Sequence, residues 1–101
     1  MGTGNTKSVR QEFELVRNIK YSNGEVAQWG PSYFVEDKNA AVKQIWSDID
    51  TLTEMHINST EPFKMTFESG DNPTASFTYH ETSKHTNTIS WRIETHTKLV
   101  E

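Results

Sequence analysis

The chain has 101 residues, a formal net charge of −4, 33% hydrophobic residues and no cysteine. That length suits a single domain, and the missing cysteine removes disulfides, thiolate metal ligands and thiol nucleophiles together. The acidic balance argues against a nucleic-acid partner, which calls for a basic patch, and no apolar run is long enough to span a bilayer, so no membrane partner is expected.

Residues 1–10 read as a disordered polar leader ahead of one domain over 11–101. Met1-Gly2-Thr3-Gly4-Asn5-Thr6 fits the loose N-myristoylation template, but nothing near it resembles the hydrophobic segment of a signal peptide. With the absence of cysteine, this points to a cytoplasmic protein.

The first strand is predicted over Phe13–Tyr21, where Phe13, Leu15, Ile19 and Tyr21 share one parity and Glu14, Asn18 and Lys20 the other. Asn23-Gly24 then marks a hairpin. The second strand, Glu25 to Val35, carries a parity conflict. A two-residue turn would pair Ile19 with Gln28 and place Trp29, Tyr33 and Val35 on the outer face. One added residue in the turn, or a bulge at Gly30-Pro31, restores them to the inner face. Core packing is the default for Trp29 and Tyr33. Left outside, they would form an aromatic contact site.

Asp37 is placed to cap a helix running to about Glu54. Ala41, Val42, Ile45, Trp46, Ile49 and Leu52 recur at three- and four-residue spacing and define its buried stripe. Trp46, in mid-stripe, is the expected centre of the core, with a cost of about 3–5 kcal/mol on truncation to alanine. Lys43, Gln44, Ser47, Asp48 and Asp50 fall on the expected water face.

Three alternating strands follow: Phe63, Met65 and Phe67; Ala75, Phe77 and Tyr79; Ile89, Trp91 and Ile93. The predicted register of the last pair sets Tyr79 against Ile89, Phe77 against Trp91, His80 against Thr88 and Arg92 against Ser76. The architecture is α+β in the order ββαβββ, one helix on one face of a five-stranded, mainly antiparallel sheet. The other face, rich in Thr and Ser, stays open.

Chemistry-bearing patterns are few. The four histidines, His56, His80, His85 and His96, are dispersed, with no helical ligand pair, so no metal or other cofactor is expected. No nucleophile elbow, phosphate loop or dinucleotide fingerprint occurs, so no catalytic residue is assigned and the chain reads as more a binder than an enzyme. The candidate binding residues are Lys64, His80, Arg92 and Glu94 on the open face, centred on Arg92 and His80. The first expectation is a binding module that contacts another protein, as an inhibitor, immunity-type protein or viral accessory factor does. The second is a ligand binder or enzyme with a pocket between helix and sheet, walled by Trp29, Trp46, Met65 and Trp91, with His56 or Tyr33 as polar group. The third is a structural subunit that assembles by strand addition. A homodimer through the sheet face or an edge is compatible with the first and third.

Overall fold

The Asn23-Gly24 hairpin is one residue longer than its tightest form. The Gly24 N–H donates to the Tyr21 carbonyl and the Tyr21 N–H to the Glu25 carbonyl, both at 2.9 Å. Gly24 takes φ +90°, the positive angle that such a loop requires of its last residue. The computed structural model describes residues 8–100, for residue 100 the backbone alone. The expected leader falls outside it as far as residue 7, and Ser8–Arg10 already belong to the first strand.

The added turn residue settles the parity of the second strand. β1 (Ser8–Lys20) pairs with β2 (Val26–Gln28) so that Ile19 faces Ala27 rather than Gln28. The strand then breaks at Gly30-Pro31 and resumes as β3 (Tyr33–Val35), where Leu15 faces Tyr33 and Phe13 faces Val35. Because the break loops out an even number of residues, odd positions still point inward. Trp29 and Tyr33 are accordingly half-buried and pack against the core. Gly30 is required here twice over: its φ is +77°, and a Cβ would lie 3.1 Å from Arg17 Nη2.

The helix, α1 (Lys38–His56), starts where Asp37 Oδ1 accepts the Ala40 N–H at 2.8 Å. Its buried side chains are Ala41, Ile45, Ile49 and Leu52. Then come β4 (Lys64–Glu68), β5 (Thr74–Thr82) and β6 (His85–Val100). The sheet runs β2-β1-β6-β5-β4, with β3 also on β1, and every pairing is antiparallel. The predicted ββαβββ order holds, with the second of the five strands divided in two.

The last hairpin keeps its predicted parity but slides by two residues. Phe77 faces Ile89, Ala75 faces Trp91, His80 faces Thr86 and Thr74 faces Arg92. The reason is its tight turn: Thr82 pairs with His85 and an irregularity at Glu81 takes up the odd residue. A slide of two leaves every side chain on its own face, so hydrophobic patterning cannot detect it.

The core centres on Trp91, Phe77, Leu15, Ile45, Ile49 and Ile89, all fully buried. Trp46 is not its centre. It is 38% exposed and covers the flank of β4, its ring 4.8 Å from that of Phe67. The position beside Ile45 lies about 100° around the helix from it, at the edge of the stripe.

Asp48, expected in water, turns inward instead. Its carboxylate accepts from Arg17 Nη1 at 3.1 Å, Trp91 Nε1 at 3.0 Å and Gln44 Nε2 at 2.9 Å. Arg17 occupies an odd, inward position of β1. Its guanidinium stands 5.3 Å from the ring centres of both Trp29 and Tyr33 and donates to the Pro31 carbonyl at 3.2 Å. This buried charge pair, not a purely apolar stripe, locks the helix to the sheet. Burial in this cluster pushes the Tyr33 hydroxyl pKa upward, against the pull of the Arg17 charge.

Candidate functional site

The helix covers only the odd-numbered face of the sheet, and what the molecule offers a partner lies on the even-numbered one. Val16 is the buried floor of that face. Its cross-strand neighbour is Arg92, whose Nη1 reaches the Asn18 amide oxygen at 2.7 Å with the amide turned to accept and whose Nη2 stands 3.5 Å from Glu94. Arg92 is therefore spread across β1 and β6 rather than free in solvent.

Next to it, Glu14 and Glu94 are directly paired across the strands, which on its own is repulsive. Glu14 is compensated from two sides. Ser32 Oγ donates to one carboxylate oxygen at 2.6 Å and His96 Nε2 meets the other at 2.9 Å. Those two contacts, Ser32 first, hold the Glu14 carboxyl below the usual carboxylate range. On the other side of His96 lies Phe34, ring centres 5.8 Å apart. Phe34 is 60% exposed, although it sits in the middle of β3 with both chain neighbours facing the core.

The predicted site residues divide in two. Arg92 and Glu94 stand together at this centre. His80 and Lys64 do not join them. His80 is bonded by Thr86 at 3.3 Å, six residues down β6 from Arg92, or roughly 20 Å at strand rise. Lys64 faces Thr78 on the outermost strand. Around them the face is a ladder of hydroxyls, with Thr66 to Ser76 at 2.6 Å and Thr78 to Thr88 at 3.0 Å. Comparison with protein-family models, curated proteins and solved structures gave no match.

Trp29 and Tyr33 supply no surface contact, being occupied with Arg17. The exposed aromatic is the one between them and Val35, namely Phe34. Parity contained this signal: once Tyr33 and Val35 point inward, Phe34 must point out. Glu14, Ser32 and His96 could not be grouped from sequence, since they come from three strands or turns far apart in the chain.

The walls proposed for a pocket do not converge. Trp29 meets Trp91 edge-on at 5.9 Å, while Trp46 and Met65 are on the exterior. His56 is stacked on Tyr79 at 4.5 Å. Among the described residues no pocket opens and no three metal-ligating side chains gather, and no helix is long and apolar enough to cross a membrane.

Proposed function

We propose that this chain is a non-enzymatic binding module that contacts another protein through the even-numbered face of its sheet, with Phe34, His96, Glu14 and Arg92 at the centre. The observation that carries the reading is Phe34. A large apolar ring held out in solvent at 60% exposure is seated on a strand and flanked by a histidine that Glu14 fixes in place. An aromatic anchor with its rotamer restricted and a guanidinium nearby is the composition of an interface hot spot. Preorganisation of this kind lowers the entropy lost on association.

Inhibitors, immunity-type proteins and viral accessory factors work through contacts of this sort, and the cysteine-free composition suits action in the cytoplasm. A second copy of the chain also meets the description of a protein partner.

The test is photocrosslinking in the native host, with a benzophenone analogue of phenylalanine at position 34 and, as control, at Asp50 on the outer side of the helix. Position 34 should capture a discrete protein that the control does not, and Arg92→Glu should abolish capture. Equal labelling from both positions, or capture indifferent to Arg92→Glu, rejects the reading.

A further inference from the structure

Beyond Phe13 and Thr95 the sheet narrows to β1 and β6 alone, paired from Glu12 with His96 to Ser8 with Val100. β3 ends opposite Phe13 and β5 begins opposite Arg92, so neither flanks this arm. Val9 and Leu99 face each other across it, 63% and 60% exposed. A two-stranded ribbon without a third strand or a covering helix is at best marginal in water.

The direction of the free backbone groups follows from the ladder. The Trp29 N–H donates to the Arg17 carbonyl, so odd residues of β1 address β2 and even ones address β6. Along β6 the even residues therefore bond to β1, and Thr95, Thr97 and Leu99 turn N–H and C=O outward on the side that β5 has left. A row of unpaired groups of this length is a template for another strand.

We propose that two copies of this chain join through this edge of β6, antiparallel about a two-fold axis at His96. This goes beyond the reading of the Phe34 face and does not depend on it. The register is chosen by charge. With His96 opposite its own copy, Thr95 and Thr97 exchange main-chain hydrogen bonds across the axis. Glu94 of each copy then faces Lys98 of the other, and Leu99 arrives beside Ile93.

Shifting the pairing by one hydrogen-bonded step towards the C-terminus puts Lys98 opposite His96, and a second step puts Lys98 opposite Lys98. A step the other way drives the strand end into β5. Only the His96-centred register matches opposite charges, twice by symmetry. It also relieves the arm itself, where Glu14 is paired with Glu94 and Arg10 with Lys98, like charges that oppose one another. An edge lysine ordinarily guards a strand against pairing, and here the register answers it with a carboxylate. The interface is isologous and closed.

The experiment is light scattering and sedimentation of the full chain over a concentration series. The wild type should be a dimer that dissociates on dilution. Thr97→Pro, which removes one outward N–H, should give a monomer with unchanged far-ultraviolet circular dichroism. Lys98→Glu or Glu94→Lys alone should weaken the dimer about tenfold or more, and the double reversal should restore it. Phe34→Ala should leave it intact, so that loss of the face reading and loss of the edge contact are told apart. A monomer at every concentration overturns the proposal. So does a dimer indifferent to the charge reversals, or one that Phe34→Ala dissociates.

Discussion

Trp91 donates its indole N–H to Asp48 at 3.0 Å, so the most voluminous buried side chain of the sheet is tied to a carboxylate of the helix. The same carboxylate oxygen holds Arg17 at 3.1 Å, both side chains less than 15% exposed. Removing one partner of a buried pair leaves the other charge without compensation, which is costlier than removing both. Asp48→Ala should therefore lose about 3–5 kcal/mol in urea denaturation. The paired change Arg17→Met with Asp48→Leu should recover most of that. A single-variant loss below about 1 kcal/mol would mean that water already satisfies Arg17.

The two tryptophans on either side of the helix–sheet contact should behave oppositely. Trp91 is 1% exposed and Trp46 38%. Trp91→Ala should cost about 3–5 kcal/mol, the range for a buried aromatic truncation. Trp46→Ala removes chiefly its stacking on Phe67 and should cost about 1 kcal/mol. Reversal of that order in chemical denaturation would show that the helix seats on the sheet through its β4 flank.

These contrasts mark what could be read in advance. Alternation along Ala75, Phe77 and Tyr79 and along Ile89, Trp91 and Ile93 located the inner face, and Asp37 located the helix start, because both are local signals of fixed period. Arg17 and Asp48 were illegible for the opposite reason. Each is a charged residue at an inward position, and only tertiary pairing makes that position tolerable. The two-residue slide of β5 on β6 preserves every face, so it depends on turn geometry alone. The candidate face was half legible. Arg92 and Glu94 followed from parity, whereas the Glu14–Ser32–His96 cluster needed the break at Gly30-Pro31 to bring Ser32 back to β1.

That break makes Gly30 sensitive. Gly30→Ala would put a methyl 3.1 Å from Arg17 Nη2 at φ +77°, combining left-handed strain of about 1–2 kcal/mol with displacement of the guanidinium from Asp48. Gly24→Ala meets the same strain but open space. In thermal denaturation Gly30→Ala should therefore be the more destabilising of the two. Equal losses would indicate that Arg17 moves aside freely.

Acid should reveal the Glu14 cluster. The Ser32 and His96 contacts lower the Glu14 pKa in the folded chain, so the folded state binds a proton there less readily than the unfolded one. The stabilisation is then fully present above the ordinary carboxylate pKa of about 4.3 and is lost as pH falls through the lower folded value. His96, Arg92 and Glu94 face the same group, and of these His96 and Arg92 act on it through charge in the same lowering direction. Glu14→Gln copies the protonated state at every pH. Its urea midpoint should be lower than that of the wild type near neutrality, and the two curves should converge in acid below the folded Glu14 pKa. Parallel curves across the whole range would mean that Ser32 and His96 serve the side chain equally well without its charge, and that the cluster beside Phe34 is held by packing instead.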